Sequence, residues 1–128
     1  MPLIDFQLLT KTGENTVEVE VTNLVIAGWT SRDKEGMEKH MAELEAIGIS
    51  RPKSALIFYR VSANQLTQSN LITVVGEDSS GEVEFFVLGL GDGLGIGVGS
   101  DHTDRKVEAY NVTISKQACA NPISRSLW

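Results

Sequence analysis

At 128 residues the chain fits one domain that can bury roughly two thirds of the surface its unfolded form exposes. Apolar residues at 41% and charged residues at 22% are ordinary globular values, and no apolar run approaches the roughly 20 residues a membrane span needs. With 11 basic and 17 acidic residues the net charge is −6, and no basic stripe offers itself to phosphates, so neither nucleic acid nor a membrane is an expected partner.

The opening "MPLIDFQLLTK" lacks a basic leader with an apolar core and a cleavage site, which makes a cytoplasmic location the expectation. Residues 3–9 and 16–27 read as strands. In the second, Val17, Val19 and Val21 share one face while Glu18 and Glu20 take the solvated one. The period then changes. Met37, Met41, Leu44 and Ile47 recur at three and four, Thr30 or Ser31 offers an N-cap, and Gly48 with Pro52 supplies a stop, so one amphipathic helix is predicted over about 32–47.

"SALIFYRVS", "LITVVG" and "GEVEFFVLGL" follow as predicted strands, with "EDSSG" as the turn before the third. Glycine then stands at every odd position from 89 to 99. This predicts a tight hairpin around Gly91-Asp92-Gly93 whose returning strand has one apolar face and one face without side chains, open to a close backbone or a ligand. Short strands are predicted to continue through "VEAYNVTISK" before the terminal "CANPISRSLW".

Several residues in this pattern can carry chemistry. Glu82 and Glu84 stand at i and i+2 on a predicted strand, so both carboxylates leave one face, and the hairpin can return Asp101 beside them. Three oxygen donors without cysteine suit Mg²⁺, Mn²⁺ or Ca²⁺, although the pattern alone sooner fits a charged strand face like that of Glu18 and Glu20. His40 and Glu43 are helix neighbours, either a carboxylate-oriented base or a plain surface pair. His102 is adjacent to Asp101, but in extended backbone its side chain points the other way. Arg105 and Lys116 could hold a substrate carboxylate or a developing enolate, or be surface charges. Cys119, the single cysteine, excludes an internal disulfide and a cysteine zinc cage. The glycines match neither the dinucleotide nor the P-loop spacing.

Taken together, these residues resemble the fumarylacetoacetate hydrolase superfamily, and more narrowly its compact DUF2848 branch, from about Ala27 to the last residue. "HMAE" is similar to the H-x-x-E helix of that superfamily, "RPKSALIFYR" to its proline-led segment, and "GEVEFFV" to its E-x-E metal strand. "SDHTDR" resembles its D-x-x-x-R element and "SKQACANP" its lysine segment before a proline. Departures are Arg60, where relatives often carry lysine, a shorter spacing from Glu84 to Asp101, and an end at Trp128 where relatives continue.

The resemblance implies an α+β, β-rich fold: a mixed, rolled sheet of the fumarylacetoacetate-hydrolase type with one main helix. Residues 1–128 would be a single domain, the N-terminal, metal-binding half of a longer fold. It implies Mg²⁺, or Mn²⁺ or Ca²⁺, on Glu82, Glu84 and Asp101. His40, Glu43 and Lys116 would be catalytic, and Arg60, Arg105 and Lys116 would hold substrate. The substrate implied is a small 2-oxo acid or 1,3-dicarbonyl compound, cleaved or rearranged by a metal-dependent hydrolase or lyase, in a homodimer or higher homo-oligomer. The alternative is a non-catalytic, cation-binding or self-associating remnant of the same fold.

Overall fold

A computed structural model describes residues 1–28, 34–49 and 57–128. The chain begins with an antiparallel hairpin, β1 (Leu3–Thr10) and β2 (Gly13–Glu20), turning at Lys11 and Thr12. Alternation sets its two faces: Ile4 and Phe6 are buried, Val17 and Val19 pack beside them, and Glu18 and Glu20 are exposed, as their period requires. β3 (Leu24–Gly28) is a separate strand rather than the tail of β2, and it pairs antiparallel with β4 (Ile57–Val61).

Between β3 and β4 lies α1 (Lys34–Ala46), within the span that the three-and-four period predicts. Met41 and Leu44 are buried on it, and Ile47, just beyond its end, is exposed. Gly48 ends it with φ at +95°, a conformation that glycine adopts without the steric cost of a Cβ. The Ile49 amide donates back to the Leu44 carbonyl at 3.0 Å. The expected N-cap at Thr30 or Ser31, the stop at Pro52 and the side chain of Met37 lie outside the described residues.

A short 3-10 turn at Ala63–Gln65 leads into β5 (Leu66–Thr67). Residues 71–76 form no strand, contrary to the reading of "LITVVG": Leu71 and Val75 are 77% and 91% exposed, and an apolar run without a partner ladder cannot stay extended for its own sake. Ser79–Ser80, expected in a turn, instead forms β6, which pairs with β9 (Thr103–Asp104).

The predicted glycine hairpin is present as β7 (Val83–Leu90) and β8 (Gly93–Ser100), with Leu90 opposite Gly93 and Val83 opposite Ser100. Its bare face admits a close backbone, one of the two occupants expected there: Gly99 forms an isolated bridge with Ile123. Gly95 and Gly97 are buried under the last residues of the chain: a Cβ on Gly95 would lie 3.2 Å from Leu127 Cδ1, and one on Gly99 3.0 Å from the Pro122 carbonyl. Leu94, Ile96 and Val98 point outward instead.

The stretch expected to continue as strands is helical. α2 (Arg105–Glu108) and α3 (Val112–Gln117) each start at an extended residue whose side chain caps the first turn. Asp104 accepts from the Lys106 and Val107 amides, and Asn111 from the Ile114 amide. These local bonds outweigh the apolar alternation that suggested strands.

β10 (Asn121–Pro122) then runs parallel to β5, and β11 (Ser126–Leu127) parallel to β1. The core gathers Ile4, Phe6, Val21, Ala63 and Leu127, and Phe6 meets Phe86 of β7 with ring centroids 6.3 Å apart. The fold is α+β and β-rich, built among the described residues from five small sheets of mixed pairing, none closed. No described helix is long and apolar enough to cross a membrane.

Candidate functional site

The β7–β8 ladder delivers the acidic residues to one place. One step beyond its last pair, the Asp101 amide donates to the Glu82 carbonyl at 2.9 Å, so the hairpin register carries Asp101 back to the start of the strand bearing Glu84. Glu84 sits on the same side of β7 as Phe86 and Leu88, two and four residues on. Burial raises the pKa of Glu84 above the ordinary carboxylate value, the negative charges of Asp101 and Glu82 raise it further, and Lys116 opposes them. Glu84 therefore feels both of the other carboxylates. Neither His40 nor Glu43 is among the groups acting on Glu84.

Each of the other two carboxylates holds a cation. Lys116, on α3, reaches inward and places Nζ 2.5 Å from Asp101 Oδ2 and 3.4 Å from Thr103 Oγ1. It lies 5.7 Å from the centre of the Tyr59 ring. Both side chains of the Lys116–Asp101 pair are nearly sequestered, at 7% and 5% exposure. Among the described residues the second oxygen of Asp101, Oδ1, is buried without a hydrogen-bond partner, as is Asn121 Nδ2.

Arg105 forms the other bridge, donating to Glu82 Oε1 at 2.6 Å, to Glu108 Oε2 at 3.0 Å and to Ser80 Oγ at 2.7 Å. Burial works against its charge, but the hydrogen bonds to Glu82 and Glu108 outweigh that and hold its pKa above the ordinary guanidinium value. With all groups ionised, Glu82, Glu84, Asp101 and Glu108 face Arg105 and Lys116, leaving a local charge of −2. Among the described residues, no three His, Cys, Asp or Glu side chains are gathered as a metal ion would need.

The remaining residues singled out by sequence stand elsewhere. His40 Nδ1 and Glu43 Oε2 are 4.0 Å apart on α1, both more than half exposed. Arg60 points to the opposite side of β4 from Tyr59, bonds Asn23 Oδ1, and lines a polar cavity of about 370 Å³ with Met1, Asn64 and Gln117. His102 turns aside to Ser100 Oγ at 3.0 Å, with its amide on Asn121 Oδ1. Gly81 makes room for that ring, since a Cβ there would lie 2.7 Å from His102 Cε1.

Sequence reasoning missed Glu108, Ser80, Thr103 and Asn121. Glu108 was findable: with Asp104 read as an N-cap, Arg105 and Glu108 become i and i+3 on one helix. Nothing in the local pattern marks Asn121.

No curated protein and no solved structure matches the chain. A family model does, over residues 27–128, from the end of β3 through the whole carboxylate, lysine and arginine cluster. The chain belongs to the DUF2848 family, proteins of unknown function.

Proposed function

We propose that the chain is a metal-dependent hydrolase or lyase of the fumarylacetoacetate-hydrolase type, acting on a small 2-oxo acid or 1,3-dicarbonyl, acylpyruvate-like compound. The observation that carries this reading is the buried Oδ1 of Asp101, without a hydrogen-bond partner among the described residues, beside Glu84, a carboxylate whose pKa is raised by burial and by its acidic neighbours. A hard divalent cation answers both features and the local charge of −2. Asp101 can offer Oδ1 while keeping Lys116 on Oδ2, Glu84 makes no hydrogen bond or ion pair among the described residues, and Glu82, bridged to Arg105 through Oε1, can offer Oε2. When bound, such a cation supplies Lewis acidity to an enolate.

The chain's own groups then have distinct tasks. Lys116 is held by Asp101 and Thr103 on the buried side of the cluster, where its ammonium suits a substrate carboxylate or oxo oxygen. Arg105, clamped by Glu82 and Glu108, fixes the strand end that presents the carboxylates. His40 and Glu43 form the pair that would orient water, and this requires α1 to face the cluster when substrate is bound.

Calorimetry with Mg²⁺ and Mn²⁺, together with turnover assays on oxaloacetate and acylpyruvates, tests the reading. Saturable binding lost in Glu84→Gln and Asp101→Asn, with metal-dependent turnover lost in His40→Asn, is expected. Absence of both heat and metal-dependent thermal stabilisation overturns it. A second reading, a non-catalytic cation-binding or self-associating remnant, is favoured by Arg105 and Lys116 already pairing two of the three carboxylates. It predicts metal binding or self-association with no turnover of any of these compounds.

A further inference from the structure

Asn121 is held at its oxygen and unanswered at its nitrogen. The residue is 5% exposed, and its Oδ1 accepts from the His102 amide at 3.2 Å. Only the oxygen end of a side-chain amide can take a backbone N–H, so that bond fixes Nδ2 as the other end. Nδ2 is a donor, buried and without a hydrogen-bond partner among the described residues. Its strand cannot swing it out to water, because β10 is pinned on both sides. It pairs with β5, the Ile123 amide donates to the Thr67 carbonyl at 2.8 Å, and Ile123 bridges Gly99.

A buried donor left without an acceptor destabilises the fold, and a leucine of nearly the same shape would leave none. The amide therefore calls for an acceptor from outside the chain. Nδ2 shares a carbon with the oxygen bound to the His102 amide, which places it beside the peptide joining Asp101 to His102. The other buried, unpartnered side-chain atom among the described residues is Asp101 Oδ1. The two are opposite in kind. A cation can answer Oδ1 but is repelled by an N–H donor, so what answers Nδ2 is an oxygen. Thr103 Oγ1 does not supply it, since it is engaged by Lys116.

We infer that Asn121 is a substrate-binding residue whose Nδ2 donates to the oxo oxygen of a 2-oxo acid bound beside Asp101, an assignment that rests on the function proposed above. The opening that admits a cation to Asp101 Oδ1 admits substrate to the same neighbourhood, which contains Nδ2. Lys116 and Asn121 then divide the two ends of the acid by charge. The ammonium of Lys116 suits the carboxylate. The neutral amide suits the carbonyl oxygen, on which negative charge grows only as an enolate forms. A site that hydrogen-bonds this oxygen also rejects an acid that lacks it, because Nδ2 is then stranded again.

Calorimetric titration of the whole chain with pyruvate, and with propionate, the same acid without the oxo oxygen, tests the inference in Mg²⁺ and in EDTA. Two variants separate the causes. Asn121→Asp keeps an acceptor for the His102 amide, loses the donor and adds a charge, whereas Asn121→Leu loses both bonds and adds no charge. Both are expected to keep the wild-type circular dichroism and to bind Mg²⁺ within about threefold of wild type or tighter. Both are expected to bind pyruvate at least about tenfold more weakly, while Asn121→Leu leaves propionate unchanged. If either fails to fold, Asn121→Ala, which also lacks the donor, takes its place. Pyruvate affinity kept by either variant overturns the inference, because loss in the other then reports charge or the His102 bond alone. Equal loss of pyruvate and propionate in Asn121→Leu overturns it as well, and so does a wild type that binds pyruvate in neither medium. Absence of Mg²⁺ binding to wild type is a separate result that ends the metal reading. The inference survives that result only if pyruvate binding in EDTA is still lost in both variants.

Discussion

Lys116 Nζ lies 2.5 Å from Asp101 Oδ2, and this buried pair ties α3 to the end of the glycine hairpin. Removing one partner leaves an uncompensated charge out of water. Lys116→Met is expected to destabilise the fold by about 3–5 kcal/mol, the more so because Asp101 Oδ1 has no hydrogen bond to fall back on among the described residues. The double variant Asp101→Leu with Lys116→Met is expected to cost less than Lys116→Met alone, since two apolar side chains leave nothing unpaired. Urea denaturation of the four proteins in the cycle checks both statements.

Glu84 gives the fold a pH dependence whose sign is opposite to the usual carboxylate. Burial and the charges of Asp101 and Glu82 raise its pKa in the folded state, so between the unfolded and folded values the folded chain binds more protons. Stability therefore falls as pH rises through that window, starting near the ordinary glutamate range, and Glu84→Gln is expected to flatten the fall. Because the side chain keeps contact with solvent, the stability lost by neutral pH should be within about 1 kcal/mol. A bound divalent cation favours the ionised form, so added Mg²⁺ should raise the melting temperature more at pH 7.5 than at pH 5.5 if the proposed site is filled.

Arg105 holds one carboxylate that can return to water and one that cannot. Glu82 is 47% exposed and Glu108 only 7%. Arg105→Met is expected to cost about 2–4 kcal/mol, mostly by stranding Glu108, while Glu82→Gln should cost less than about 1 kcal/mol. Arg105→Lys cannot span both acids with one fork and should fall between them. Thermal unfolding followed by circular dichroism orders the three.

What the sequence made legible was what depends on neighbours in the chain. The turn at Gly91 and Asp92, the valine face of β2 and the stop of α1 at Gly48 follow from period and backbone freedom alone, and the hairpin register then delivered Asp101. The helices α2 and α3 were hidden because "VEAYNVTISK" alternates weakly like a strand, while the deciding caps at Asp104 and Asn111 lie at single positions. Which face of the hairpin is buried could not be read from its own residues. That choice belongs to Leu127, Pro122 and Ser124, which are distant in sequence and cover the glycines. The pairing of Lys116 with Asp101 and of Arg105 with Glu82 was likewise invisible, since both depend on where α2 and α3 fold back.

Gly97 is where that tertiary choice can be tested without touching the candidate site. A methyl group there meets the Phe86 ring edge at 2.6 Å and Ser124 Oγ at 2.9 Å, and Phe86 is itself packed against Phe6 of the core, so neither the ring nor the strand can move freely. Gly97→Ala is expected to destabilise the fold by about 1–3 kcal/mol through overpacking. Gly93, at the hairpin turn, has nothing within 4 Å of an added Cβ, so Gly93→Ala should cost less than about 1 kcal/mol. If the clash with Phe86 is the cause, Phe86→Leu should recover part of the loss when combined with Gly97→Ala, although alone it costs stability. A double-mutant cycle by urea denaturation reads the coupling, and strict additivity of Gly97→Ala and Phe86→Leu would show that the hairpin packs its glycine face against something else.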